Sequence, residues 1–168
     1  MRKNNREAKI IFALYCLVLV WVIMFKMAFS LSDVPFFTGA REVNFIPFYY
    51  DRDVGSFHIR EVILNVLVFV PFGVYLSMLD VDWKKAILSG FALSFIFEAG
   101  QFALAIGAGD VTDIITNTLG TVIGVIFYAV FRRIFSRKKT ADLIINVLVA
   151  NALKLFFVLA AILFVFNS

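Results

Sequence analysis

One cysteine, one histidine and three prolines in 168 residues exclude several kinds of chemistry at the outset. Cys16 has no second thiol with which to form an intrachain disulfide, and a lone cysteine builds no thiolate metal centre. A single His58 leaves no histidine-rich metal set, and neither a Ser-His-acid order nor a glycine-rich phosphate loop can be read in the chain. Charge is scarce as well. Charged residues make up 17% and apolar residues 62%, against roughly 25% and 45–50% in an ordinary soluble domain. The net charge of +4 comes from a few short clusters and needs no nucleic-acid partner to explain it.

Long apolar runs are what the chain has in place of these. Five of them, at about 10–30, 61–79, 86–106, 112–131 and 141–166, approach the roughly 20 residues that cross about 30 Å of hydrocarbon as helix. The alternating pattern of a barrel is missing. The expected fold is an all-α integral membrane protein, a five-helix transmembrane bundle forming one domain over residues 1–168. The first run is longer than the 7–15 residues of a secretory signal core, so an uncleaved signal-anchor helix is expected.

Basic residues alternate with the spans. Arg2, Lys3, Arg6 and Lys9, then Lys84 and Lys85, then Arg132, Arg133, Arg137, Lys138 and Lys139 fall on one side, leaving Arg41, Arg52 and Arg60 on the other. The positive-inside rule then predicts a cytoplasmic N-terminus, an extracytoplasmic C-terminus and one long outer loop, 31–60. That loop mixes aromatics with charges, and Asn44-Phe45-Ile46-Pro47-Phe48 suits a short turn folded against the bundle. Lys26 and Lys154 lie inside spans near their predicted outer halves, where long stems can snorkel.

Polar residues inside the spans carry the functional signal. Glu61 and Asn65 share a face of the second span, above Pro71, where a missing amide donor predicts a kink that could open room between helices. In the third span Gly90, Ser94, Glu98, Gln101 and Ala105 make one small, polar stripe. Glu98 lies roughly 12 Å below the outer end of that span at about 1.5 Å per residue, too deep to reach bulk water easily. The fourth span repeats the pattern with Asp113, Thr116, Asn117, Gly120, Thr121 and Gly124, and Asp110 is placed to cap its start. Gly120 and Gly124 carry a close-packing spacing. Asn146 and Asn151 of the last span are expected as buried amides bonding across helices.

Three acid-and-amide pairs at one depth, Glu61 with Asn65, Glu98 with Gln101 and Asp113 with Asn117, predict a shared polar cavity open to the outer leaflet and roofed by the 31–60 loop. The candidate ligand-binding residues are Asn44, Arg60, Glu61, Asn65, Glu98, Gln101, Asp110, Asp113 and Asn117. Arg60 is the preferred partner for Glu98 or Asp113. Should the site be catalytic, Glu98, Asp113 and His58 are the candidates for acid and base. No cofactor or metal is implied.

Four blocks together resemble the VanZ-like family: Asn44-Phe45-Ile46-Pro47-Phe48, Asn65 through Pro71-Phe72-Gly73, Ser94-Phe95-Ile96-Phe97-Glu98-Ala99-Gly100-Gln101, and Asp110-Val111-Thr112-Asp113 through Asn117 to Gly120. They occur in the family's order and cover residue 44 to about 130. The resemblance implies a multi-pass protein of the bacterial cytoplasmic membrane, from a family whose namesake is associated with teicoplanin resistance. Where that family often carries an arginine before the aspartate block, this chain has Gly107-Ala108-Gly109.

The expected function is binding or remodelling of an envelope lipid or lipid-linked cell-wall precursor, with an effect on glycopeptide antibiotic susceptibility. Two other classes fit the same residues: an intramembrane hydrolase or transferase acting on such a lipid, and a small proton-coupled transporter using Glu98. A second copy of the chain or an envelope protein is a further partner to consider.

Overall fold

A computed structural model describes residues 2–24, 43–48, 59–107, 109–135 and 137–167. Five helices account for nearly all of these: α1 (Arg2–Met24), α2 (Ile59–Met78), α3 (Trp83–Leu104), α4 (Val111–Ile134) and α5 (Lys138–Asn167). Each is long and apolar enough to cross a membrane, so the protein is a multi-span helical membrane protein. Two short strands, β1 (Val43–Asn44) and β2 (Gly109–Asp110), pair in parallel.

The ends of the helices follow local rules. The Asp82 carboxylate accepts the Lys84 amide proton at the start of α3, satisfying one of the donors that every helix N-terminus leaves over. The same helix closes on Ala105 in the left-handed region, φ 49°, whose N–H turns back to the Gln101 and Phe102 carbonyls. Between α2 and α3 the chain reverses through Asp80 at φ 62°, a conformation that aspartate tolerates better than most residues. Pro71 is accommodated inside α2, which continues on either side of it.

Lipid tails are as apolar as leucine, so helices in a bilayer associate through packing and hydrogen bonds more than through the hydrophobic effect. The closest packing is between α2 and α4, which run parallel. A β-carbon built on Gly124 would stand 2.1 Å from the Val70 carbonyl oxygen, one on Gly120 2.3 Å from that of Val66, and one on Gly73 2.1 Å from that of Thr121. Only hydrogen fits at these places. The kink expected at Pro71 does not open space toward α4; the backbones come together on either side of it. On the other flank of α4, Gly90 of α3 meets Thr121 just as tightly, its β-carbon position lying 2.2 Å from the threonine hydroxyl.

Aromatic rings fill the middle of the bundle. Phe69 and Tyr75 are fully buried, and Phe12 lies 5.6 Å from Phe72 and 5.4 Å from Tyr75, centroid to centroid. The Tyr15 hydroxyl donates to the Val68 carbonyl, tying α1 to the stretch of α2 just before Pro71. Helix α5 is peripheral. It is held by the Tyr128 hydroxyl on Asp142 at 2.8 Å and the Tyr75 hydroxyl on Asn146 at 3.0 Å, with an ion pair between Lys138 and Asp80 near its start. The basic residues at the starts of α3 and α5 and at the end of α4 therefore gather at one end of the bundle, the basic end, and the starts of α2 and α4 lie at the other.

Replacing Gly124 by alanine is expected to lower stability by about 1–3 kcal/mol through overpacking against backbone that cannot yield. Gly100→Ala, whose new methyl meets only the flexible tip of Met24 at 3.0 Å, should stay within about 0.5 kcal/mol of the parent. Unfolding of the purified variants in mixed detergent micelles checks both.

Candidate functional site

The end opposite the basic cluster is organised around the first turn of α4. Gly109 and Asp110 run in extended conformation beside Val43 and Asn44, with Val43 opposite Gly109 and Asn44 opposite Asp110. Asp110 then caps the helix. Its Oδ1 accepts the Thr112 amide proton at 2.7 Å, while its Oδ2 accepts from the Asn44 carboxamide at 3.3 Å. Its own N–H donates to Glu98 Oε2 at 2.8 Å. Three segments distant in sequence are thus joined through one aspartate.

The turn that follows β1 is fixed by the same residues. Asn44 Oδ1 accepts the Ile46 amide proton at 3.0 Å, closing an Asx turn. Two residues on, Phe48 at φ 55° donates its N–H to the Thr112 hydroxyl at 3.0 Å. The expected turn at Asn44-Phe45-Ile46-Pro47-Phe48 is therefore folded against the bundle, on the capping turn of α4. Thr112 was not among the candidate residues; a threonine two places after a capping aspartate gives no signal of its own that a loop will dock on it.

A second polar contact lies between α2 and α4, where Asn65 Nδ2 donates to Asp113 Oδ1 at 2.7 Å. A third lies deeper, between α3 and α4: Asn117, fully buried, donates to the Ser94 hydroxyl at 2.8 Å, and Ser94 in turn donates to the Asp113 carbonyl at 3.4 Å. Glu98 is only 6% exposed. Buried polar groups cost several kcal/mol when nothing bonds to them, and the three stripes meet this requirement largely by bonding to one another.

A cavity of about 210 Å³ opens beside this network, on the α3–α4 side. Phe95, Ala99 and Phe102 of α3, Val111 and Ile114 of α4, and Val43 and Phe45 around β1 form its apolar walls, with Glu98 and Asp110 at its inner edge. The strand pair stands where the loop was expected to form a roof. Phe95, Phe102 and Phe45 are also exposed on the outside of the bundle, so the cavity faces sideways toward lipid.

Several candidate residues lie elsewhere. Gln101 does not face Glu98's neighbours on α4; its Nε2 donates to the Ile23 carbonyl of α1 at 2.8 Å. Arg60 and Glu61 sit exposed on the first turn of α2. The bonds described for Glu98 and Asp113 come from the Asp110 amide and Asn65, rather than from Arg60. His58 lies outside the described residues. The cavity-lining apolar residues were missed because Phe95, Ala99 and Phe102, though spaced along one helical face, read from sequence as ordinary lipid-facing positions. Among the described residues no group of three or more His, Cys, Asp or Glu could hold a metal ion.

Comparison with known proteins gives one family. The chain matches VanZ/LLP1 over residues 12–132. It is 39% identical over 140 residues to Protein VanZ of Enterococcus faecium, an alignment that covers 80% of this chain and 81% of that protein. No solved structure matches it.

Glu98→Gln keeps an oxygen for the Asp110 N–H and is expected to change stability by less than about 1 kcal/mol, whereas Glu98→Leu strands that buried donor and should cost about 1–3 kcal/mol. Side-by-side unfolding of the two variants tests whether Glu98 holds the start of α4.

Proposed function

The chain belongs to the VanZ family, and from that membership and the cavity beside Glu98 we propose that it binds an envelope amphiphile, a lipid or lipid-linked cell-wall precursor, from the outer leaflet of the bacterial cytoplasmic membrane. The supporting observation is the position of the cavity: sideways-facing, walled by Phe95, Ala99, Phe102, Val111 and Ile114, and ending against Glu98 and Asp110. An apolar cleft with a few placed polar groups suits a molecule that is part chain and part head. The chain portion lies along α3 and α4. The head sits near the β1–β2 pair, where Asn44, Asp110 and Glu98 converge.

In this reading the basic end is cytoplasmic, by the positive-inside rule, and the cavity opens to the leaflet in which exported wall precursors reside. Occupying or reorienting such a molecule changes its access to other ligands at the cell surface, and an effect on glycopeptide susceptibility follows. Asn65, Asp113 and Asn117 keep the helices in register, and the acceptor-rich edge formed by Glu98 and Asp110 favours a head carrying hydroxyl or amino donors.

Ala99→Trp, which fills the cavity from an exposed position on α3, is expected to retain about tenfold less lipid than the parent, equivalent to about 1.4 kcal/mol. The measurement is mass spectrometry of lipid kept by reconstituted protein after incubation with a wall-lipid extract, run beside Glu98→Gln. Equal retention by Ala99→Trp sinks the cavity as the binding site. A lipid product made by the parent and lost in Glu98→Gln replaces binding with catalysis.

A further inference from the structure

Helix α5 carries a charge in a place where lipid alone gives it no partner. Its bundle-facing side is marked by Ala141, Ile145, Leu153 and Ala160, all buried. On the opposite side Val147, Asn151, Lys154, Val158 and Ala161 are all exposed, at alternating intervals of four and three. That is the spacing of a helix–helix seam. Asn151, expected from sequence to be a buried amide, is on this outer side.

Lys154 is also deeper than snorkelling accommodates. From Leu155 through Val165 no residue is polar, a run of roughly 16 Å at about 1.5 Å per residue, and Asp142 lies roughly 18 Å away in the other direction. The Tyr128–Asp142 bond fixes the relative height of α4 and α5. The same number of residues counted along each helix from that bond brings Lys154 level with Thr116, beside the fully buried Asn117. Ionisable residues at such depth almost always face a bundle interior or pair with an opposite charge, whereas this one faces outward.

We infer that the outer side of α5 is a docking surface for a transmembrane helix of another protein bearing an aspartate or glutamate near its middle, with Lys154 taking the carboxylate and Asn151 hydrogen-bonding beside it. A second copy of this chain fits the surface poorly. Two α5 helices paired on this seam set Lys154 against itself, and the carboxylates of this chain near that depth, Glu98 and Asp113, are turned into the bundle. The valines and Ala161 supply the small contact surface on which helices close in membranes.

The test uses the full chain with a fluorescent donor at its N-terminus, reconstituted in phosphatidylcholine vesicles with acceptor-labelled leucine-alanine peptides about 22 residues long, enough to span. One peptide carries a central glutamate and the other a leucine there. Energy transfer should show the glutamate peptide binding at least about tenfold more tightly, a difference near 1.4 kcal/mol. The preference should vanish in Lys154→Leu and persist in Lys154→Arg, with both variants unfolding like the parent. Equal binding of the two peptides, or a preference that survives Lys154→Leu, overturns the inference. So does energy transfer between two labelled copies of the parent that Lys154→Leu abolishes, since a second copy then covers the surface.

Discussion

The polar end of this protein depends on α2 and α4 touching backbone to backbone. Where Gly73, Gly120 and Gly124 face carbonyl oxygens of the opposite helix, a hydrogen occupies the place of a side chain, and each such contact contributes about 0.5–1 kcal/mol. Those contacts are small singly. In a bilayer, however, burial of apolar surface drives helix association weakly, so they weigh more than they would in a soluble core. They also fix axial register: with Gly120 against Val66 and Gly124 against Val70, Asn65 arrives beside Asp113.

From that register the remaining polar contacts follow. Thr121 sits between the glycines of two helices, Gly73 on α2 and Gly90 on α3, so α3 is drawn to the same level of α4. Ser94 then reaches Asn117, and one turn further on Glu98 reaches the Asp110 amide. Carboxylates accept hydrogen bonds but do not donate them when ionised. Here the donors described for them are backbone amides and carboxamides, which keeps the network compact and leaves its apolar flank, Phe95 to Phe102, free to border a cavity.

The same accounting separates residues that hold the site from those that border it. Asp110 is committed to the cap, to Asn44 and to Glu98; Gln101 is committed to α1. The cavity wall is almost wholly apolar, and its polar edge is formed by groups already engaged in structure. A ligand therefore meets a preformed edge, with little reorganisation needed on the protein side.

Much of this was legible in the residues. Apolar run length placed the five helices within a few residues of their observed ends, because an approximately 30 Å slab without hydrogen-bonding partners admits little else as a spanning segment. The period of 3.6 put Ser94, Glu98 and Gln101 on one stripe and Asp113, Thr116, Asn117 and Gly120 on another, and the spacing of Gly120 and Gly124 marked a close contact. Which stripe bonds to which was decided only in three dimensions. Helical period fixes the angle between residues on one helix, not the rotation of that helix against its neighbours, which is set by packing of side chains far apart in sequence. Gln101 turning to α1, Phe48 docking on Thr112, a cavity lined from three helical or strand segments and Lys154 facing outward all follow from those rotations.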